Sequence, residues 1–436
     1  MYSFGSRRDR GTVAGVRDVL FTFLEIGLCA TALLGNTVLW LILFDLILRS
    51  ETSRWLSRSG RLVSLIGLTF MPVGLAVSYW LTGASLVDQW LALDFTPLSL
   101  YALACVLIAV FTAPSMLRPF GRDDPSVLVT NHSTLLDLDT LLELPGLDGP
   151  VSRFFGRIPG NQILHLSTHQ EKIRIARLPP ELEGYSITHI TDLHFTGQIT
   201  KPFFEEVVRR ANELEGDLVA ITGDIVDCET CFEWIPDTLG QLRAKDGVYF
   251  ILGNHDKRVD SEQLRRELTE CGLVDVGGRW LELTLRGQPV ILAGNELPWF
   301  PPAPDMQTCP PRTSSGTSPG STSGSTSGST SGTSPGSTPG STSGPMRILL
   351  AHSPDQLQWA RQHDVDLMLA GHTHGGQIHF PWVGPLVSAT WTGRKYAVGL
   401  IHQPPTVLHV SRGVSQTVPL RFRCPPELSR LELQRG

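Results

Sequence analysis

Hydrophobic and polar positions are unevenly distributed along the 436 residues. The first ~120 form long apolar runs poor in carboxylates, whereas the rest alternates short apolar runs with charged, helix-like stretches, as soluble domains do. Residues 19–48 carry only Glu25 and Asp45 as charges, and their uncharged middle nearly reaches the ~20 residues of a spanning helix. Residues 62–81 are uncharged and end on Tyr79 and Trp80, where interfacial aromatics belong. Residues 97–117 are also uncharged. The pattern predicts a membrane region over 1–122 with three transmembrane helices, about 20–48, 62–81 and 97–117, and a multi-pass protein of the cell membrane. The first apolar stretch is too long for a cleaved signal peptide, and two more follow it. Four arginines between residues 49 and 61 place that loop in the cytoplasm, whereas Arg7, Arg8, Arg10 and Arg17 pull the other way. The charges therefore leave the side of the soluble part open.

Residues 123–171 read as a connecting segment of mixed pattern. From residue 172 the text becomes regular: the strand SITHI, a helical stretch over 202–215, the strand DLVAI, another helical stretch, and the strand VYFIL. This alternation, each strand running into a polar loop, predicts an α/β sandwich over 172–436 with ligands held by the loops after the strands. Residues 313–345 are a Ser/Gly/Thr/Pro run with near-repeats such as GSTSGSTSGST. Such a run cannot bury a core and reads as a disordered insertion with a coil reach of about 30 Å.

Composition narrows the functions. A net charge of −6 without a basic stripe on the soluble part argues against nucleic-acid binding. Seven scattered cysteines make no disulfide framework. The Cys228/Cys231 pair lacks a second pair at zinc spacing and reads as a local disulfide or two inert thiols.

The chemistry sits in five blocks, each directly after an apolar strand: Asp192-Leu-His194, Gly223-Asp224, Gly253-Asn254-His255-Asp256, His352, and Gly371-His372-Thr-His374. Asp192, His194, Asp224, Asn254, His352, His372 and His374 supply two carboxylates, one amide oxygen and four imidazoles, a hard-to-borderline donor set without thiolate. Alternation along an extended chain would point Asp192 and His194 the same way. The set suits two divalent ions (Mn, Fe or Zn), bridged by one carboxylate, of which Asp224 is the natural choice, with a metal-bound hydroxide as nucleophile. Positive charge at that point offsets the charge developed in phosphoryl transfer. His255 remains to protonate the leaving oxygen or stabilise equatorial charge, with Asp256 to orient it. His189, His363, His379, His402 and His409 lack a motif and read as packed or surface histidines.

DLH, GDIVD, GNHD, HSPD and GHTHGGQ in this order resemble the five blocks of the calcineurin-like metallophosphoesterase superfamily. The closing GPLVSATWTGRKYAVGL and VSRGVSQTVPLRFRCPPEL resemble its branch of membrane-anchored bacterial envelope phosphoesterases. The resemblance implies two facing mixed sheets flanked by helices. It implies one metal on Asp192, His194, Asp224 and His374, the other on Asp224, Asn254, His352 and His372, and His255 as the catalytic histidine. The expected activity is hydrolysis of a phosphodiester, phosphomonoester or pyrophosphate in a phosphorylated small molecule or lipid at the membrane. The alternatives are a catalytically silent phospho-ligand sensor or binding protein with a membrane anchor, and a metal-dependent amidase or peptidase.

Overall fold

The computed structural model describes residues 10–49, 54–93, 95–116, 123–142, 146–312, 344–381, 384–385, 388–391 and 393–436. Residues 313–343 of the predicted insertion lie outside the described residues. The chain divides into two compact units, Met1–Pro119 and Phe120–Gly436.

The first unit is helical: α1 (Arg10–Arg49), α2 (Arg54–Thr82), α3 (Leu86–Leu91) and α4 (Pro97–Met116). Three stretches, Phe21–Leu43, Leu62–Thr82 and Pro97–Pro114, are long and apolar enough to cross a membrane. Small residues let these helices approach closely. A Cβ on Gly35 would lie 1.8 Å from the Cys105 carbonyl oxygen, and Gly67 lies against the Trp40 ring. Buried Asn36 accepts from the Tyr101 hydroxyl (2.7 Å), which accepts from Trp40 Nε1 (2.8 Å), so polar groups in an apolar setting satisfy one another. The turn before α3 is a capping box of Ser85 and Asp88.

The second unit opens with β1 (Leu128–Asp137), α5 (Leu138–Leu141), α6 (Pro150–Gly156), β2 (His165–Ile175), β3 (Ser186–Ile190), α7 (Lys201–Glu213), β4 (Leu218–Thr222), β5 (Val248–Ile251), α8 (Ser261–Glu270) and β6 (Val274–Asp275). It continues with β7 (Trp280–Leu285), β8 (Gln288–Asn295), β9 (Met346–Ala351), α9 (Leu357–Gln362), β10 (Leu367–Ala370), β11 (His379–Phe380), β12 (Gly384–Pro385), β13 (Gly399–Gln403), β14 (Thr406–Val410) and β15 (Glu427–Arg435). One large sheet runs β1-β2-β15-β3-β4-β5-β6, a second β13-β14-β10-β9-β8-β7, and β11 pairs with β12 in a small third. Both large sheets are mixed: β3, β4 and β5 are parallel, as are β8, β9, β10 and β14, while β15 runs antiparallel to β3 and β13 to β14.

The sheets face each other through Ile187, Leu218 and Ile251 on one side and Leu292, Leu350 and Leu369 on the other. The outer face of the first sheet packs on Phe203, Phe204 and Val207 of α7 and Leu264 and Leu268 of α8. That of the second packs on Leu357 and Ala360 of α9. Burial on both faces is why these strands read as near-continuous apolar runs. The predicted sandwich of two mixed sheets flanked by helices is the observed architecture.

Two expectations change. Segment 123–171 does not act as a connector, because it contributes β1 and most of β2, and β2 pairs with β15 along Ser167–Ile175. That partner lies more than 250 residues away, so local pattern has no access to it. The expected helix between β4 and β5 is two 3₁₀ turns, Glu229–Trp234 and Leu239–Gln241. Pro236 and Gly240 interrupt helical hydrogen bonding there.

Candidate metal centre

Parallel strands bring their carboxyl ends to one edge, and the five sequence blocks follow β3, β4, β5, β9 and β10 there. The backbone does not deliver the side chains by strand alternation. Asp192, His194, Asp224, His372 and His374 all occupy the left-handed region, with φ of 54°, 46°, 53°, 68° and 50°. Left-handed backbone is costly for side chains of this kind and persists where packing over-determines it. Asp192 and His194 therefore converge through a tight loop, which corrects the extended-chain expectation. Two glycines make room. A Cβ on Gly253 would lie 2.3 Å from Asp224 Oδ1, and one on Gly371 2.3 Å from Asp192 Oδ2.

Asp192, His194 and His374 form one group and Asp224, His352 and His372 a second. In the first, His194 Nε2 stands 3.3 Å from His374 Nε2 and 3.8 Å from Asp192 Oδ1, and His374 Nε2 stands 3.5 Å from Asp192 Oδ1. In the second, His352 Nε2 stands 3.2 Å from each of Asp224 Oδ2, Asn254 Oδ1 and His372 Nδ1. Asp224 Oδ2 also lies 3.6 Å from His194 Nε2, so it faces both groups. Its Oδ1 is engaged separately, accepting from the His255 amide at 2.7 Å.

Tautomers follow from the outer partners. His194 Nδ1 donates to Asp227 Oδ2 (2.7 Å), His352 Nδ1 to the Thr222 carbonyl (2.7 Å) and His374 Nδ1 to the Ser415 carbonyl (3.1 Å). Their Nε2 lone pairs consequently converge on carboxylate and amide oxygens, an arrangement that repels itself unless a cation lies between. With bonds of about 2.0–2.2 Å, neighbouring ligands of one cation stand roughly 3.0–3.5 Å apart, close to the observed spacing. The donor set therefore fits a pair of divalent cations.

Electrostatics agree. Burial is the largest influence throughout, and it holds His372 down to about 3 and His374 well below the ordinary imidazole range. At His352 burial is outweighed by the carboxylates of Asp224 and Asp192, which push the imidazole up to about 9. Burial also opposes the charge on Asp224, but the His352 and His255 imidazoles hold its carboxyl well below the usual range. A fully buried imidazole that retains a proton at neutral pH marks excess negative potential, the demand a cation meets.

The remaining predicted residues separate. His255 stands beside the first group, its ring 4.6 Å from that of His194. Asp256 does not orient it. Asp256 is buried, with Oδ1 accepting from the amides of Ile225 and Val226 and Oδ2 from that of Gly253, and so ties the loop after β5 to the loop after β4. Orientation falls to Asp227, whose Oδ1 accepts from His255 Nδ1 at 2.5 Å while its Oδ2 holds His194. The only signal for Asp227 was its place in GDIVD. Two more residues carried no local signal. Trp299 walls the second group, 5.3 Å from His352 and 5.1 Å from His372. Arg421, fully buried, donates to the Ser415 carbonyl at 2.7 Å beside His374. Cys228 and Cys231 are free thiols. Burial pushes Cys231 up to about 12, so it is inert at neutral pH.

Residues 185–376 match the family model described as calcineurin-like phosphoesterase. The chain is 27% identical to the uncharacterized metallophosphoesterase YkuE of Bacillus subtilis, over 62% of this chain and 86% of that protein. It is 26% identical to the phosphodiesterase YaeI of Escherichia coli, over 60% and 86%. It is 25% identical to the UDP-2,3-diacylglucosamine pyrophosphatase LpxG of Chlamydia muridarum, over 58% and 85%.

Proposed function

Since the chain belongs, through residues 185–376, to the calcineurin-like phosphoesterases and is a metal-dependent phosphoric ester hydrolase, we propose that its two donor groups hold two divalent ions for hydrolysis of a membrane-associated phosphoester. Asp192, His194, Asp224 and His374 would hold one ion, and Asp224, Asn254, His352 and His372 the other. The O and N donors accommodate Mn, Fe or Zn. When bound, such a pair polarises phosphoryl oxygens and makes water acidic enough to act as a nucleophile at neutral pH. His255 acts on the leaving oxygen. With its Nδ1 on Asp227, its Nε2 is the atom that transfers the proton. Burial, followed by the neighbouring His194 and Arg421, disfavours protonation of His374 and so keeps it neutral as a ligand. Asp256 holds the loops after β4 and β5 at the spacing the shared carboxylate requires.

The observation that carries this reading is the placement of one oxygen, Asp224 Oδ2, within 3.6 Å of an imidazole nitrogen from each group. Phe21–Leu43, Leu62–Thr82 and Pro97–Pro114 anchor the enzyme in the cell membrane as a multi-pass protein. The anchor, together with the lipid-precursor pyrophosphatase among the relatives, supports a lipid-linked or envelope phosphoester or pyrophosphate as substrate. The test uses the full chain in detergent, loaded with Mn and assayed on bis(p-nitrophenyl) phosphate with metal content measured in parallel. Wild type is expected to turn over with two ions per chain, and Asp224→Ala to lose both. Two bound ions without turnover of any phosphoester would sink the enzymatic reading.

A further inference from the structure

Among the described residues of the catalytic unit, six large apolar side chains stand exposed: Leu135, Leu141, Val151, Phe154, Phe380 and Trp391. Scattered singly they would need no explanation. Four of them, Val151, Phe154, Phe380 and Trp391, lie on segments tied to the loops of the metal centre.

Val151 and Phe154 lie one turn apart on α6 and share a face, 62% and 66% exposed. Ser152 of the same helix donates to Gln198, on the loop that carries His194, and Gln198 reaches the Thr417 carbonyl. The segment just after α6 lines one edge of residues 419–422: Asn161 Nδ2 donates to the Pro419 carbonyl at 2.8 Å and the Gln162 amide to that of Arg421 at 2.7 Å. The other edge of 419–422 is taken by the chain leaving His374, where the Phe422 amide donates to Gln377 and the His379 amide to Phe422. Phe380 follows at once. Trp391, 81% exposed, is held through its amide by Asp355, three residues beyond His352. The apolar side chains of α6, Phe380 and Trp391 therefore lie on segments bonded to the loops that carry the ligands of the metal centre. Basic side chains accompany them: Arg153 and Arg157 on and after α6, Arg423 beside Phe422 and Lys395 near Trp391 are all exposed.

We infer that these segments form a docking surface for the lipid bilayer, which seats the metal centre against the headgroups. The inference rests on the proposed reading that α4 crosses the membrane. Only six residues, 117–122, separate the end of α4 from the first described residue of the catalytic unit, at most about 25 Å of extended chain. A bilayer is thus the apolar partner that the tether holds permanently at high local concentration. Aliphatic and aromatic side chains interspersed with arginine and lysine are what an interfacial surface facing anionic headgroups requires. Docking there would bring a phosphoester at headgroup depth to the site without its leaving the membrane.

The experiment reconstitutes the full chain in vesicles of phosphatidylcholine and phosphatidylglycerol doped with a diazirine-bearing phosphatidylglycerol, and maps crosslinks by mass spectrometry. Crosslinks are expected in 150–157 and at Phe380 as well as in the spans, and the double variant Val151→Asp/Phe154→Asp should lose those at 150–157 by at least about tenfold. Crosslinks confined to 10–116 in the wild type overturn the docking surface, as does an undiminished yield in the double variant. Turnover of bis(p-nitrophenyl) phosphate in the same vesicles serves as the folding control, since neither substituted residue touches the metal centre. It also separates the two readings: crosslinks at 150–157 without turnover support docking and count against the reaction, whereas turnover without those crosslinks does the reverse.

Discussion

Asp227 is bonded to two imidazoles at once, and each of its oxygens has one orientation to keep. Burial opposes its charge, but the His255 and His194 imidazoles outweigh burial and hold its carboxyl below the ordinary carboxylate range. An amide at this position keeps one accepting oxygen and turns a donor toward the other ring, so one histidine loses its tautomer. Asp227→Asn is expected to lower kcat roughly 10–100-fold, the range for outer partners of metal ligands, with a partial loss of bound metal from the group containing His194. His255→Asn should instead retain both ions and lose about 10²–10⁴-fold in kcat. Steady-state kinetics with metal analysis on both variants distinguishes the two roles. Full activity in Asp227→Asn would show that the second oxygen is dispensable. The identities of His255 and the donors were legible because each sits in a short motif after an apolar run. Asp227 was visible only as a letter in one of those motifs, because its function lies in contacts to His194, His255 and Arg258 on separate loops.

At the level of elements, the strands carry a second polar system, which meets the surroundings of the metal centre at Thr222. His189 of β3 faces His409 of β14 at 2.9 Å, nitrogen to nitrogen, and its Nε2 meets the Thr222 hydroxyl at 2.8 Å. His409 in turn lies 3.7 Å from Glu171 of β2 and from Glu427 of β15, and Arg412 donates to Glu427 at 2.6 Å. Burial, and next the charges of Glu427 and Asp123, push Glu171 from an ordinary 4.5 up to about 8. Its folded pKa exceeds its unfolded one, so folding takes up a proton between those values. The stability this group contributes is fully present below about pH 4.5 and is lost as pH rises through about 8. Glu171→Gln, neutral at every pH and still able to accept from Asn131, should flatten the decline in Tm between about pH 5 and about pH 8. Thermal unfolding of both proteins across that range checks it. Parallel decline in wild type and variant would assign the pH dependence to other groups. None of this system was legible, because β2 acquires its neighbour β15 only through a pairing between opposite ends of the domain.

At the level of the whole molecule, residues 313–343 interrupt the catalytic unit without separating its ends. Arg312 donates to the Pro345 carbonyl at 2.9 Å and pairs with Asp366, so the chain leaves and re-enters at one point. Replacing residues 314–343 by about four Gly and Ser residues should leave turnover of bis(p-nitrophenyl) phosphate unchanged. It should also raise stability by at most about 2 kcal/mol, since each halving of loop length returns only about 0.6 kcal/mol of closure entropy. Scanning calorimetry and kinetics on the shortened chain test this. A loss of activity with an unchanged Tm would mean that the segment takes part in substrate handling.

What the sequence determined by itself was local: the length and apolarity of three helical stretches, the strands that run straight into polar loops, and the kinds and spacing of donors in those loops. Each depends on residues within a few positions of one another, where periodicity and side-chain chemistry act directly. Only the tertiary structure decided that five of the donors converge through left-handed backbone, that Asp224 turns one oxygen to both groups and the other to the chain, and that Trp299 and Arg421 complete the surroundings. Those outcomes depend on contacts across long separations, which are set by how two sheets share a core and cannot be read from either strand alone.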